Sequence, residues 1–306
     1  MKKKLFLFIQ ITISVGLLVA ILRKSDIDEI VKGVRYLDSG LYIVGIILSV
    51  VFVIINAIKW SVICKVDIKD SIQLTYISQF YATILPGQIT GEAVKIVYAK
   101  KKGIDISNST ASVLIDKVTS FSAIFFLGLI GIVFDNKSAG ILLVFAGLIV
   151  ASVLMFVFYK RFSLYLKLIM GRKKNKATKK INRFLCIMDE YMDNSNVLVV
   201  AILISIVCQV VGMMSHFLVL KAVGLSIHFY SLMWIYAFLS IALFVPISIG
   251  GLGVREASYV GFLGLYGISR EIALTGSLLI FSITIVNALV GGCVTLGRVV
   301  TDWRET

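Results

Sequence analysis

Residues 246–267 read PISIGGLGVREASYVGFLGLYG. A long apolar stretch runs into them, and a proline, three glycines and an Arg255-Glu256 pair then interrupt it. Only a short apolar segment follows, 257–267, about half the length needed to cross a bilayer at 1.5 Å per residue. Proline cannot continue a helix and disfavours helical backbone at the residue before it. The stretch therefore predicts a helix that breaks inside an apolar environment and restarts at Arg255-Glu256.

The surrounding composition makes that environment a membrane. The chain has 306 residues, of which 58% are hydrophobic and 16% charged. Soluble domains are roughly 45–50% apolar and about 25% charged, so a soluble globular enzyme and a disordered chain are both excluded. A membrane helix needs about 20 apolar residues. Seven stretches qualify: 5–22, 41–58, 118–134, 139–158, 197–220, 229–249 and 272–297. The predicted fold is all-α, a polytopic integral membrane helical bundle of seven to eight spans. Residues 1–306 form a single membrane domain. If 246–267 returns, seven spans leave the C-terminus outside; if it crosses, eight spans leave it inside.

Thirty-one Lys and Arg stand against 17 Asp and Glu. They cluster between apolar stretches, as in cytoplasmic loops of membrane proteins, so the excess does not predict nucleic-acid binding. Lys2, Lys3 and Lys4 place the N-terminus in the cytoplasm. Residues 159–196 carry ten Lys/Arg and three acids and read as a basic cytoplasmic loop, attracted to anionic headgroups. Within it, 179–192 fits an amphipathic interfacial helix.

A second segment, 71–85, is moderately apolar but holds Gln73, Thr75, Ser78, Gln79 and Thr83, and ends at Pro86-Gly87. A single crossing here would put Lys100, Lys101 and Lys102 outside, against the charge rule. It too reads as re-entrant. The breaks share an order: Pro86, Gly91, Glu92 and Ala93 in one, and Pro246, Gly250, Gly251, Gly253, Arg255, Glu256 and Ala257 in the other. Similar breaks in two halves are a mark of transporter sites at a pseudo-repeat interface, although proline and glutamate lie six residues apart in the first and ten in the second.

Irregular backbone within a bilayer is tolerated only where protein or a water-filled cavity satisfies it. Two breaks therefore imply a polar cavity. Helix N-termini present free N–H groups and positive dipole ends, which suits a lipid phosphate. Glu92 and Glu256 stand at those starts as candidate caps, salt-bridge partners of Lys95 and Arg255, or substrate contacts. Asp116 and Lys117 begin the third span, as interfacial anchors or cavity-lining groups. Adjacent helical residues point about 100° apart, so these two are not expected to pair with each other. One of them is expected to face Glu92 or Glu256. His216, Gln209, Asn56 and Asn287 read as hydrogen-bonding residues between helices.

No nucleophile elbow, P-loop or metal-spaced His/Cys set is present. The four cysteines form no CxxC, so neither a disulfide framework nor a zinc site is expected. No catalytic residue, cofactor or metal is assigned.

The segments 86–121 (PGQITGEAVKIVYAKKKGIDISNSTASVLIDKVTSF) and 246–269 (PISIGGLGVREASYVGFLGLYGIS) resemble the lysylphosphatidylglycerol synthase transmembrane-region family of flippase-like membrane proteins. The likeness extends over nearly the whole chain. The family pattern carries arginine where Lys95 and Lys117 stand, which keeps charge but not the planar fork that grips phosphate; Arg255 and Glu256 match it. The resemblance implies a prokaryotic cytoplasmic-membrane protein whose partners are anionic, aminoacylated or polyprenyl-linked lipids. It also implies, as an alternative, a non-catalytic subunit serving a membrane-associated glycosyltransferase or aminoacyltransferase. Fused relatives carry a soluble lysyltransferase domain; this chain ends at Thr306, so that activity is not expected of it. Glu92, Lys95, Asp116, Lys117, Arg255 and Glu256 are the substrate-binding candidates.

Overall fold

A computed structural model describes residues 2–23, 25–85, 88–135, 139–171 and 176–304. Pro86 and Gly87 lie outside the described residues, as do Arg172, Lys173 and Lys174 of the basic segment. The described residues form twelve α-helices and no strand: α1 (Lys2–Leu22), α2 (Ile27–Arg35), α3 (Ser39–Cys64), α4 (Ile68–Ile84), α5 (Gln88–Lys101), α6 (Ile106–Asp135), α7 (Ala139–Gly171), α8 (Lys176–Asp193), α9 (Ser195–Ala222), α10 (Phe229–Phe244), α11 (Val254–Gly264) and α12 (Arg270–Arg304).

Among the described residues, α3, α6, α9 and residues 270–297 of α12 are long and apolar enough to span a bilayer. The protein is a multi-pass helical membrane protein. Local chemistry sets the helix ends. The Asp38 carboxylate accepts from the Leu41 N–H at 3.1 Å and caps α3, and Asn194 caps α9 through the Val197 N–H at 3.2 Å. Each such cap contributes about 1 kcal/mol.

Two pairs of short helices fold back on themselves. In the first, α5 returns along α4: Tyr81 meets Tyr98, and the Lys102–Asp70 ion pair ties the end of α5 to the start of α4. Gly91 permits the close approach, because a Cβ there would lie 2.7 Å from the Ala82 Cβ. In the second, α11 returns along α10. Trp234 packs on Phe262 and Tyr266, and Phe238 on Phe262. The apolar run expected to continue to residue 249 therefore stops at Phe244, because Pro246 forces Val245 into extended backbone (φ −71°, ψ 127°). The turn that follows uses Gly250, Gly251 and Gly253 at φ of 59°, 81° and 81°, where a side chain is strained.

The hairpins approach from opposite ends of the bundle and their tips meet, with Gly250 against the Thr83 carbonyl. The order long helix, hairpin, long helix thus occurs twice, as α3 to α6 and as α9 to α12. The halves run in opposite directions, since α3 and α9 are antiparallel: Ser215 Oγ donates to the Gly45 carbonyl at 2.7 Å, and the Cys208 thiol faces the Phe52 carbonyl. Each hairpin also leans on the closing helix of the other half. Gly131 of α6 receives the α10 backbone at Tyr230, and Gly291 of α12 receives the α4 backbone at Tyr76.

The basic segment 159–196 is largely helical among its described residues, and the helix expected over 179–192 is present within α8. α7 continues to Gly171, and α8 covers Lys176–Asp193. The cause is the spacing of Leu185, Met188 and Tyr191, which gives α8 one apolar face. Met188 and Tyr191 pack with Ile63, Ala111, Ile115 and Ala201. Arg183–Asp105, Lys167–Asp189 and the Tyr191–Asn108 hydrogen bond secure it.

The α6–α10 approach has a direct test. A Gly131→Val side chain meets the Tyr230 carbonyl oxygen at 2.5 Å, whereas nothing lies within 4 Å of a Cβ at Gly147. Thermal unfolding in detergent should show Gly131→Val destabilised by about 1–3 kcal/mol or more, with Gly147→Val close to wild type. Equal melting of the two variants would mean the helices are not this close.

Candidate functional site

Where the hairpin tips meet, the bundle encloses a cavity of about 260 Å³. From α4 come Thr75, Ser78, Gln79 and Thr83; from α5, Glu92 and Lys95; from α6, Lys117 and Ser120. The opposite wall has Gln209 and His216 of α9, Tyr236 and Ser240 of α10, and Arg255 of α11. Asn56 of α3 and Thr284 of α12 complete the polar lining, and Phe52, Phe121, Ile124 and Phe244 its apolar part. Residues spread over two hundred positions thus converge on one chamber.

The charges divide into three states. Lys59 and Asp116 form a fully enclosed pair, Nζ to Oδ1 2.9 Å, with side chains 0% and 3% exposed. Lys59 also donates to Ser120 Oγ at 2.5 Å and to the Asp116 carbonyl at 3.3 Å. Glu92 and Lys117 form a second pair at 2.5 Å, but they border the cavity and are 17% and 28% exposed. The third state is a cation without a carboxylate bound to it. Lys95 is buried, and its ammonium lies 4.1 Å from the centre of the Trp60 ring. Arg255 is 4% exposed and donates through Nη2 to the Gly250 carbonyl at 3.1 Å. Its Nη1 is buried without a partner.

Glu256 lies behind Arg255 and is fully buried. Its Oε2 accepts from the Gly253 N–H at 2.5 Å, capping α11, and its Oε1 accepts from Ser277 at 3.5 Å. Glu92 instead stands a turn inside α5 and caps nothing. The two glutamates, alike in sequence, do different work. The residues that match across the halves are Lys95 and Arg255, one cation on each returning helix. Lys117 faces Glu92 across the fold as expected, but it also lies 3.9 Å from Asp116 Oδ2. The two neighbours approach each other after all, because the lysine stem is long enough to curl back.

Of the break residues, Pro246 accepts through its carbonyl from Gln10 Nε2 of α1 at 2.6 Å, and the Ile249 N–H donates to Ser14 Oγ at 3.1 Å. A Cβ on Gly253 would lie 2.8 Å from that of Leu17, so α1 packs on bare backbone there. His216 shares a 2.8 Å hydrogen bond with the Tyr259 hydroxyl.

The six predicted side chains thus gather on or directly behind one cavity. A family model described as the lysylphosphatidylglycerol synthase TM region matches residues 7–291. The chain belongs to this family. The matched range takes in both hairpins and every residue that borders the cavity. No curated protein and no solved structure gives a significant match. Family membership supports a lipid-related role in the membrane and leaves the chemistry of the headgroup to the site itself.

Sequence reading missed Lys59, because it ended the second span at residue 58 and left this lysine in the basic segment that follows. The signal was there: Lys59-Trp60 is followed by Ser61-Val62-Ile63-Cys64, so the apolar helix continues past the lysine. Groups that might ligate a metal do not cluster, since no three His, Cys, Asp or Glu gather among the described residues.

Breaking a buried pair from one side leaves a bare charge, at a cost of about 3–5 kcal/mol, whereas removing both partners is far cheaper. Lys59→Met should therefore lower the thermal midpoint sharply, and Lys59→Met/Asp116→Leu should recover most of the loss. If the double variant melts no higher than the single one, the two groups are not coupled.

Proposed function

We propose that the protein binds the phosphate-bearing headgroup of a membrane lipid in this cavity and moves it across the bilayer, while the hydrocarbon chains stay in lipid. The observation that carries this reading is Arg255, which lines the cavity from inside an apolar bundle, with no carboxylate bonded to its guanidinium and its Nη1 without a hydrogen-bond partner among the described residues. A buried cation without an anion is strongly unfavourable. A phosphate oxygen answers that need, and Lys95 offers a second cation from the other hairpin. Lys95, Lys117 and Arg255 touch the headgroup. Glu92 holds Lys117 in place, and Glu256 holds the start of α11 that presents Arg255.

In this reading both hairpins are re-entrant, one from each face of the membrane. The end bearing Lys65, Lys69, Lys100, Lys101 and Lys102 faces the cytoplasm by the positive-inside rule, with the N-terminus on the same side, in a prokaryotic plasma membrane. The opposite end is closed. Trp234, Phe238, Phe262 and Tyr266 fill it. Asp135 clasps α6 to the second hairpin by accepting from Ser231, Trp234 and Tyr266. Opening toward that side requires α10 and α11 to leave α6, and the glycine turn at 250–253 is the segment free enough to allow it.

Two experiments test this. In proteoliposomes, labelled phosphatidylglycerol should cross faster with protein than without. Arg255→Gln, shown to be folded by its melting curve, should lose at least about tenfold of that rate, since a charge-assisted phosphate contact is worth about 1.5–3 kcal/mol. Unchanged transport in folded Arg255→Gln would remove the residue from the mechanism. Separately, single cysteines replacing Asp70 and Lys102 should both react with an impermeant thiol reagent from one side of the membrane. Reaction from opposite sides would make α4 and α5 a crossing instead of a re-entrant hairpin.

A further inference from the structure

The segment between the first two apolar stretches is not a bare loop. Residues 27–35 read IDEIVKGVR and form α2. The Asp26 carboxylate caps its start by accepting from the Asp28 N–H at 2.9 Å, and the Tyr36 N–H closes its end on the Lys32 carbonyl at 3.0 Å. Asp28 and Glu29 stand in its first turn and Lys32 and Arg35 in its last, the order a helix dipole favours. At about 100° per residue, its side chains fall into three sectors. Ile30 and Gly33 face the bundle: Ile30 is buried, and a Cβ on Gly33 would lie 3.2 Å from Thr275 Cγ2 of α12. Ile27, Val31 and Val34 make the next sector. Asp28, Glu29, Lys32 and Arg35 make the rest.

The middle sector is the anomaly. A helix in water turns its apolar side to its own protein. Here Ile27, Val31 and Val34 are 63%, 57% and 49% exposed, beside the contact with α12 and not in it. The neighbouring chain says what covers them. α1 ends at Leu22 and α3 starts at Ser39, so residues 23–26 and 36–38 are the only links. At no more than about 3.6 Å per residue, they keep α2 within about 15 Å of both helix ends. The helices it joins expose apolar side chains of their own, Val15 and Val19 on α1 and Ile43 and Ile47 on α3. That is the surface which meets lipid chains in a multi-pass protein. Tyr36 stands exposed just past α2, and tyrosine is enriched at the membrane–water boundary. Because α3 runs from here to Lys65, α2 lies at the end of the bundle opposite the basic one.

We infer that α2 is an in-plane anchor in the leaflet opposite the basic end, with Ile27, Val31 and Val34 sunk between headgroups and hydrocarbon chains and its charged sector in water. Its partner is a phospholipid surface, engaged by apolar insertion. This holds whether or not the central cavity carries a headgroup. α2 follows α1, which supplies Gln10 and Ser14 to the second break, and it rests on α12 at Thr275. An α2 held at the surface therefore fixes the level of both helices in the bilayer.

The test is spin labelling of the full chain in phospholipid nanodiscs. Cys186 and Cys293 are exposed and are first replaced by serine, while Cys64 and Cys208 are buried. Nitroxides are then placed singly on cysteines at 27, 31 and 34, and at 28 and 32. Relaxation by oxygen, which concentrates in lipid, is compared with relaxation by a water-soluble nickel chelate. Labels at 27, 31 and 34 should show an oxygen-to-nickel ratio severalfold above labels at 28 and 32. Equal nickel access at all five positions would put the apolar sector in water, open to a soluble partner, and would overturn the anchor. Loss of access to both reagents at 27, 31 and 34, with dipolar broadening between labels, would put a second copy of the chain there and overturn it equally. Should a labelled variant fail to fold, a tryptophan pair carries the same comparison without touching the cysteines. Lipids brominated along their chains should quench Val31→Trp fluorescence more than Asp28→Trp fluorescence, and equal quenching would sink the inference.

Discussion

A helix that ends inside a membrane leaves amides and carbonyls that only protein can satisfy, and this bundle is arranged around meeting that demand at its second break. Three side chains from distant parts of the chain do so. Gln10 donates to the Pro246 carbonyl, Ser14 accepts from the Ile249 N–H, and Glu256 accepts from the Gly253 N–H. Two of the three come from α1. The first helix is thus a brace that makes a glycine turn tolerable inside an apolar bundle, and its Leu17 lies against Gly253, where a Cβ would collide with it. Once the turn is satisfied, α11 can start there with its N-terminus pointing inward, and Arg255 is set at the cavity by the second residue of that helix.

The same accounting separates fixed charges from available ones. Lys59–Asp116 is sealed, and the lysine has two further acceptors, so it serves as structure. Glu92–Lys117 opens onto the cavity and can exchange partners. Lys95 and Arg255 rest on aromatic rings, Trp60 at 4.1 Å and Phe281 at 5.1 Å. Cation–π contact offers a desolvated cation about 2 kcal/mol, which is less than a carboxylate would offer. It holds each cation ready without neutralising it. One of the two cations comes from each hairpin, so both hairpins bring an unneutralised charge to the same cavity.

Much of this was legible in the chain. The apolar stretches gave the long helices, Pro246 and its glycines marked the break, and the lysines at 100–102 required the first hairpin to return. The six charged candidates all came to one place because charges are too costly in a bilayer to be scattered. What the sequence hid depended on geometry across the fold. Glu92-Ala93 and Glu256-Ala257 look like counterparts, but a cap is defined by the distance to a free N–H, and only Glu256 has one. Lys59 looked like a loop charge because its partner, Asp116, is 57 positions away. In the basic segment the amphipathic helix at 179–192 was legible, but the run of α7 on to Gly171 was not, because Lys160 and Arg161 interrupt the apolar stretch.

The antiparallel repetition of the halves adds a constraint of its own. Each hairpin packs on the closing helix of the other half, α4 on α12 at Gly291 and α10 on α6 at Gly131. A movement of one hairpin therefore changes the wall of the other half as well as its own. The contacts are made at glycines, where backbone meets backbone, and at α6–α10 the side chains on either side pack into one core. The second hairpin, however, is also clasped at Asp135 by three donors, while the first is tied at its far end by the Lys102–Asp70 ion pair. The ion pair is partly exposed and weak; the clasp is half-buried beside aromatic rings. By these contacts the second hairpin is held more firmly at its base than the first.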